Sequence, residues 1–158
     1  MYRIGIGFDA HRFSKDRKLI LGGVHVPFEL GLKGHSDADV LTHAICDSIL
    51  GAMGKGDIGI HFPDADDSLK DISSLVILSR VVEMVRDFRM QIVNIDAVVI
   101  CERPRVTPFR EQIEGVLADC MQLDNSCINI KATTTEGMGY TGEGKGIAAK
   151  SICLLKYI

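Results

Sequence analysis

The sequence lacks any long uninterrupted run of apolar residues. Its most apolar late segment, IAAKSICLLKYI, is interrupted by Lys150 and Lys156, and the opening residues MYRIG contain no apolar signal-peptide core. Because a membrane-spanning helix needs roughly 20 apolar residues, we predict neither a membrane span nor a secretory signal. These absences favour a cytoplasmic protein without a membrane partner.

Paired cysteine motifs and an excess of positive charge are also missing. The five cysteines are an odd number, show no C-x-x-C spacing and lie within apolar runs, which is typical of buried thiols in a reducing compartment. The formal net charge of -3 argues against the sequence-independent phosphate contacts that dominate nucleic-acid binding. We therefore predict no nucleic-acid partner, and any phosphorylated ligand must find its positive charge locally.

The sequence does contain enough hydrophobic residues for one domain with a core. With 46% of its residues hydrophobic, the chain is expected to form a single domain over 1–158. The order of strand and helix patterns predicts an α/β (α+β) fold: a mixed four-stranded sheet with helices packed on one face, plus an N-terminal hairpin at Gly22 and Gly23. The other face of such a sheet needs a cover, which subunit association can supply.

Two early patterns position the candidate site. Residues 4–11 alternate apolar side chains with glycine or polar ones, which predicts a half-buried strand. Ser36 and Asp39 stand in capping-box spacing and predict the start of a first helix, which ends near 54–56. The predicted hairpin at Gly22 and Gly23 lies between this strand and the first helix.

The middle of the chain predicts two more helices and a long loop. The polar segment 56–71, rich in Gly and Asp, is interpreted as a functional loop between two strong helical patterns. A second helix is predicted over 74–88. Thr107 and Pro108 are predicted to start a third helix as its cap and its first-turn proline.

A candidate metal site begins with Asp9 and His11. They lie two residues apart in the predicted strand, so their side chains leave the same face and can meet one ion, although D-x-H alone is a weak signal. His43 strengthens it because it lies on the polar face of the first helix, beside Asp39 and Asp47. One carboxylate and two imidazoles leave zinc an open position for substrate. Asp47 is predicted to orient His43, and a solvated helix face is the alternative for both aspartates.

Two further segments suit phosphate. His35 and Ser36 precede the first helix, where backbone N–H groups favour an anion, although Ser36 is equally explained as the helix cap. The segment ATTTE at 132–136 offers hydroxyls and a carboxylate for phosphate and a hard cation, with ordinary strand filling as the alternative. The near match of GMGYTGEGKG to a P-loop is rejected because Gly146 stands where a Ser or Thr is required.

Five segments together resemble the zinc-dependent 2-C-methyl-D-erythritol 2,4-cyclodiphosphate synthases. These segments are GFDAHRF, GHSDADVLTHAICDSILGA, GDIGIHFPD, ERPRVTP and KATTTEGMGYTGEGKGIAA, in family order over nearly the whole chain. The resemblance implies a homotrimer with active sites between neighbouring subunits. It also implies a lyase of the non-mevalonate isoprenoid pathway, which converts 4-diphosphocytidyl-2-C-methyl-D-erythritol 2-phosphate into the cyclic diphosphate and CMP.

The resemblance also implies roles for individual residues. Zinc falls on Asp9, His11 and His43, and a magnesium or manganese ion falls on Glu136. His35 and Thr134 correspond to the catalytic residues that stabilise phosphate. The substrate-binding residues, in chain order, are Asp9, Ala10, His11, His35, Ser36, Asp57, Ile58, Gly59, Phe62, Pro63, Asp64, Ala65, Asp66, Cys101, Glu102, Arg103, Pro104, Arg105, Val106, Thr107, Thr133, Thr134, Thr135, Glu136, Tyr140 and Glu143.

These substrate-binding residues divide by the part of the substrate that they contact in the family. Residues 101–107 and the threonines at 133–135 correspond to the cytidine pocket. Asp57 and Gly59 correspond to ribose contacts, and residues 62–66 face the methylerythritol part. The resemblance therefore implies one elongated site that draws on distant parts of the chain.

The chain departs from the family pattern in GYTGEGKG. It has Glu143 and Lys145, whereas family members usually have an arginine first and an acid second. In the family these positions, with the aromatic that corresponds to Tyr140, border a central trimer channel for isoprenoid diphosphates. The exchanged charges weaken the expectation of that second binding and leave the zinc ligands unaffected.

Two other functions are compatible with the same residues. A zinc-dependent phosphohydrolase would release inorganic phosphate or an open monophosphate, not a ring with CMP. A non-catalytic module that binds isoprenoid phosphates around a structural zinc would bind ligand without turnover. The nature of the product therefore separates the three functions.

Overall fold

Seven strands and five helices make up the chain, as described by a computed structural model of residues 1–158. The strands are β1 (Tyr2–Ser14), β2 (Leu19–Leu21), β3 (Val24–Val26), β4 (Gly31–Leu32), β5 (Met90–Ile100), β6 (Ile128–Thr133) and β7 (Gly146–Tyr157). The helices are α1 (Val40–Met53), α2 (Ile58–His61), α3 (Ser74–Asp87), α4 (Arg110–Met121) and α5 (Gly139–Gly142). None of these helices combines the length and the apolar character that crossing a membrane requires.

The main sheet is mixed and has its helices on one face, as predicted. Its strand order is β4-β1-β7-β5-β6, and only the pair β5 and β6 is parallel. The four long strands are those predicted, and the two-residue β4 adds a fifth at the edge beside β1. The predicted hairpin is the separate pair β2 and β3, in which Gly22 and Gly23 turn the chain with φ of 57° and 75°. Positive φ at both turn residues is what a two-residue hairpin loop requires.

The glycines of β1 bring α1 close to the sheet. A Cβ atom added to Gly7 would lie 1.9 Å from the carbonyl oxygen of Ala44, and one added to Gly5 would lie 2.0 Å from that of Ser48. The backbone of the helix therefore packs directly on the backbone of the strand. This close approach brings the first turn of α1 next to the end of β1, where Asp9 and His11 lie.

The opposite face of β1 is apolar and exposed in the single chain. On β1, Ile4 is 71% exposed, Ile6 is 70% exposed and Phe8 is 51% exposed. On the neighbouring strand β7, Ile152 is 46% exposed. Half-burial of β1 is thus confirmed, but the buried half is the glycine face. An apolar patch of this kind on a sheet surface marks an interaction site.

The start of α1 differs from the prediction. Asp39, and not Ser36, is the cap residue, and its carboxylate accepts from the backbone N–H and the hydroxyl of Thr42 at 3.1 and 2.8 Å. It also accepts from the N–H groups of Gly22 and Gly23 at 2.9 and 2.7 Å. Asp39 is fully buried, so a solvated helix face is wrong for this residue. The end of the helix at Gly54, with φ of 71°, is as predicted.

The second and third helices are confirmed, but the cap of the third is wrong. Thr107 makes no capping hydrogen bond, because residues Thr107–Phe109 first form a 3-10 turn that contains Pro108. The α-helix proper begins at Arg110. Its buried face consists of four residues, Ile113, Leu117, Ala118 and Met121.

All five cysteines are free thiols. Cys46, Cys101 and Cys153 are buried as predicted, whereas Cys120 and Cys127 are partly exposed. Burial raises the pKa of the Cys101 thiol to about 11 and that of Cys153 to about 12. The buried thiols are therefore protonated and unreactive near neutral pH.

Candidate functional site

Asp9, His11 and His43 converge at the junction of β1 and α1. Oδ2 of Asp9 lies 2.8 Å from Nε2 of His11 and 3.0 Å from Nδ1 of His43, and the two imidazole nitrogens are 3.4 Å apart. Ligand atoms about 2.0–2.1 Å from a tetrahedral zinc ion are roughly 3.3 Å from one another. The three predicted ligands thus form a group whose spacing suits a metal ion.

Hydrogen bonds on the far side of each ring fix the free nitrogens. Nδ1 of His11 lies 2.7 Å from the carbonyl oxygen of Lys33, which only accepts, so this nitrogen carries the proton and Nε2 is free. Nε2 of His43 lies 2.8 Å from the hydroxyl oxygen of Ser74 and 3.2 Å from that of Ser36. Nδ1 of His43 is left facing Asp9.

In neutral rings these assignments leave Nε2 of His11 and Nδ1 of His43 as electron-pair donors toward Asp9, whereas a proton on either nitrogen is donated to the Asp9 carboxylate. Burial raises the pKa of Asp9, but the hydrogen bonds and charges of His11 and His43 outweigh it and lower that pKa to about 2. The carboxylate is thus ionised at neutral pH. The ionised carboxylate and the two imidazole nitrogens favour a positive charge between them, which a proton supplies without a metal and a metal ion would supply when bound. A carboxylate with two imidazoles is a common zinc donor set.

A cavity of about 460 Å³ opens beside this group. All three candidate ligands line it, and so do the predicted substrate residues His35, Ser36, Ile58, Gly59, Phe62, Pro63 and Asp64. Asp57, Ala65 and Asp66 are not in the cavity wall. Five wall residues were not among the predicted metal ligands or substrate-binding residues, namely Gly34, Asp47, Leu69, Ile72 and Ile77.

Asp47 has a different role from the predicted one. Its Oδ1 accepts from the backbone N–H of Ile58 at 2.7 Å and makes no hydrogen bond to His43. It therefore anchors the loop that carries α2 and the adjacent predicted substrate residues. His43 is instead contacted by Ser74, whose position at the start of α3 gave no sign of a part in the site.

The predicted cytidine residues form a second group around the ends of β5 and β6. The N–H of Cys101 donates to the carbonyl of Thr133 at 3.1 Å, and Glu102 accepts from the N–H of Thr135 at 3.2 Å. A shallower cavity of about 220 Å³ is lined here by residues that include Val106 and Thr107. The two segments that the resemblance assigns to the cytidine pocket are therefore in direct contact.

Within this second group, Glu136 stands out by its backbone. It has a φ of 53°, which is uncommon for a residue with a side chain and costs free energy. Its carboxylate is exposed and contacts only the hydroxyl of Thr134, at 3.4 Å. No second group of three metal-ligating side chains surrounds it.

The candidate metal ligands on β1 and the threonines at the end of β6 are separated by the two central strands β7 and β5. Asp9 pairs with Ala149 of β7, which pairs with Val99 of β5, which pairs with Ala132 of β6. Three strand spacings, about 14 Å, therefore separate the candidate metal ligands from the threonines within one chain. No residue lines both cavities.

The exchanged charges lie near Tyr140, on the segment that leads into β7. Lys145 and Glu143 form an ion pair, and both side chains are more than half exposed. Tyr140, Lys145 and Ala10 line a further open depression at the end of β1. None of the predicted substrate residues Ala10, Tyr140 and Glu143 lines the cavity of the candidate metal site, but the depression adjoins that cavity because His11 lines both.

The fold and the site together define a class: an α+β protein with a candidate His₂Asp metal site where a glycine-rich strand meets a helix. A sequence model of the YgbB family matches residues 2–156. The chain belongs to this family.

Relatives and solved structures agree over nearly the full length. A 2-C-methyl-D-erythritol 2,4-cyclodiphosphate synthase of Caldicellulosiruptor bescii is 52% identical over 98% of this chain and 99% of its own. The synthase of Clostridium acetobutylicum is 53% identical over 97% of this chain and 99% of its own. Bifunctional IspDF of Campylobacter jejuni superposes with a TM-score of 0.97 at 40% identity over 100% of this chain and 43% of its own. A CDP complex of IspF from Plasmodium falciparum superposes with a TM-score of 0.85 at 33% identity, over 98% of this chain and 95% of its own.

Proposed function

We propose that this chain is a lyase that converts 4-diphosphocytidyl-2-C-methyl-D-erythritol 2-phosphate into 2-C-methyl-D-erythritol 2,4-cyclodiphosphate and CMP. The observation that carries the proposal is the convergence of Asp9, His11 and His43 at the wall of a cavity large enough for a sugar phosphate. Synthases of this cyclic diphosphate that are about half identical over nearly the full length support the same activity.

The candidate ligands suit zinc best. Asp9, His11 and His43 would hold a zinc ion, which when bound supplies polarisation of a phosphoryl oxygen. We further propose that Glu136 holds a magnesium or manganese ion, because its exposed carboxylate is a hard oxygen ligand. Substrate phosphates would complete the ligands of this second ion.

The proposed reaction needs no residue that acts as a strong base. An oxygen of the 2-phosphate forms a bond to the β-phosphorus, and the bond from that phosphorus to the oxygen shared with the α-phosphate breaks. CMP leaves with the electron pair, and no water is consumed. Because the attacking phosphate is already anionic near neutral pH, the chain mainly has to bend the substrate and neutralise charge. Positioning of this kind can lower a barrier by about 7 to 11 kcal/mol.

The chain's own side chains supply binding and exclusion of water. His35 is partly exposed at the cavity wall, and its Nε2 makes only a long contact of 3.3 Å, so the ring can turn toward a phosphate. Ile58, Phe62 and Leu69 line the same cavity and would keep water from the diphosphate. Thr134 is exposed and would contact phosphate from the second group.

We also propose a homotrimer in which the cavity of one subunit faces the cytidine group of the next. Two observations support it. The outer sheet face exposes Ile4, Ile6, Phe8 and Ile152, which a second copy would bury. The two halves of the site lie about 14 Å apart within one chain, so a neighbouring subunit brings them together more readily than the chain itself. The single domain over 1–158 and a cytoplasmic location stay predictions, and the five free thiols support the second.

Charge placed on the outer sheet face should dissociate the trimer. We expect the wild type to sediment at three times its protomer mass of 17.3 kDa, and Ile6→Asp at the protomer mass. Ile6 is 70% exposed in the protomer, so the substitution costs the protomer little. Turnover should fall roughly 100-fold or more, because the two halves of the site separate.

Val76→Asp is the matched control for Ile6→Asp. Val76 is also exposed, at 42%, but lies on α3 and not on the sheet. We expect it to leave both mass and turnover unchanged. A wild type that sediments as a monomer, or an Ile6→Asp variant that stays trimeric and active, would contradict the proposed assembly.

Phosphorus NMR of the cytidylylated substrate tests the reaction directly. The protein with zinc and magnesium should produce two mutually coupled diphosphate resonances of a ring, with one equivalent of CMP. Inorganic phosphate or an open monophosphate would instead identify a phosphohydrolase. Line broadening of bound substrate without any product would identify a binding module, and either result would overturn the proposal.

A further inference from the structure

On the side of the ring away from Asp9, His43 contacts Ser74, a residue that no motif identified. Its Nε2 lies 2.8 Å from Oγ of Ser74, the first residue of α3, and Ser74 is fully buried. Oγ of Ser36 is a second, longer contact at 3.2 Å. Asp47 binds the N–H of Ile58 and does not contact the ring. Ser74 therefore makes the shortest hydrogen bond to Nε2 of His43.

The direction of the hydrogen bond between Ser74 and His43 follows from a third residue, Asp37. The Ser74 hydroxyl lies in short contact with Oδ1 of Asp37. A carboxylate can only accept, so the single hydroxyl proton of Ser74 is donated to Asp37. The Ser74 oxygen then accepts from Nε2–H of His43, so in the neutral ring Nδ1, which faces Asp9, carries no proton and can bind a metal ion.

Asp37 is itself held in place by backbone groups. Its Oδ2 accepts from the N–H of Ser74 at 2.9 Å, and its Oδ1 accepts from the N–H of Asp39 at 3.1 Å. Its own N–H donates to the carbonyl of Ile72 at 3.2 Å. The carboxylate therefore ties the loop before α1 to the start of α3 at a fixed distance from His43.

We infer that Asp37 and Ser74 are positioning residues that hold the imidazole of His43 in the orientation and tautomer that bind a metal ion. The inference rests on the metal site proposed above. The Asp37 carboxylate polarises the Ser74 hydroxyl, whose oxygen accepts from Nε2–H of His43. This chain of hydrogen bonds makes Nδ1 of His43 a better electron-pair donor. The two residues act through His43 and do not touch the ion or the substrate.

Ser74→Ala tests this role because it removes the hydroxyl and keeps the backbone N–H that binds Asp37. Zinc affinity, measured by competition with a chromophoric chelator, should fall about 10- to 100-fold. The visible absorption of bound cobalt should change in intensity or position, because His43 loses its fixed orientation. A merely structural role would lower the melting temperature of metal-free and zinc-loaded protein alike, without changing zinc affinity.

Ser79→Ala is the matched control on the same helix. The hydroxyl of Ser79 donates to the carbonyl of Val76 at 2.8 Å on an exposed surface. We expect zinc affinity and the cobalt spectrum to equal those of the wild type. Equal zinc affinity of Ser74→Ala and wild type would overturn the positioning role, whereas a wild type that binds no zinc would overturn the metal site itself.

A measurement on the wild type keeps the inference testable if Ser74→Ala fails to fold. Nitrogen NMR of the histidine rings in the zinc-loaded protein should show Nε2 of His43 protonated and Nδ1 bound to the metal. For His11 the pattern should be reversed, with Nδ1 protonated by its bond to Lys33. A His43 ring with Nδ1 protonated would contradict the assignment of the Ser74 hydroxyl as donor to Asp37.

Discussion

His43→Ala is expected to abolish both zinc binding and turnover. The substitution removes one of three candidate ligands and leaves the carboxylate of Asp9 with a single imidazole beside it. Removal of a supporting residue already costs about 10- to 100-fold in metal affinity, so loss of a ligand should cost more than 100-fold. Zinc content after dialysis and the rate of CMP release measure the two effects.

His25→Ala is the control for this result. His25 lies on the short strand β3 and is exposed, with no part in either cavity. It should keep full zinc content and full turnover. Normal turnover by metal-free His43→Ala would remove the central role assigned to the three side chains.

Gly7→Ala should be the most destabilising single-methyl change in the chain. The added Cβ would lie 1.9 Å from the carbonyl oxygen of Ala44 and 2.7 Å from the backbone nitrogen of Ser48. Neither atom can move without displacing α1, so we expect a loss of at least about 3 kcal/mol in the free energy of unfolding. Denaturant titration with circular dichroism measures it.

The same displacement should weaken the site, because α1 carries His43 and β1 carries Asp9. Gly115→Ala on α4 is the matched control, since a Cβ there meets no atom within 4 Å. It should stabilise the protein by about 0.5 to 1 kcal/mol, as expected for glycine replaced in a helix. A stable Gly7→Ala variant with unchanged zinc affinity would show that the close contact between helix and strand does not position the site.

Much of the fold could be predicted because its signals are local. Strand β1 is predicted from the alternation of its own residues, and the hairpin of β2 and β3 is predicted from its two adjacent glycines. The start of α1 could not be predicted, because Asp39 caps it with help from Gly22 and Gly23, some sixteen positions away in sequence. Capping-box spacing favoured Ser36, which the fold uses to contact His43 instead.

The site was predictable to a similar extent. The pairing of Asp9 with His11 follows from the two-residue period of a strand, and their meeting with His43 fits the family resemblance. Sequence spacing favoured Asp47 as the partner of His43, since it lies one turn further along the same helix. The residue that contacts the ring is Ser74 from another helix, a tertiary contact without a local signal.

The capping of α1 by Asp39 has a consequence for how this region unfolds. Burial raises the pKa of the Asp39 carboxyl, and two of the four hydrogen bonds to its oxygens come from N–H groups of the hairpin. If β2 and β3 separated, a charged group in the interior would lose two of its partners, and the first turn of α1 would become unfavourable. Hairpin and helix should therefore open together as one cooperative unit, and the candidate metal ligand His43 opens with them.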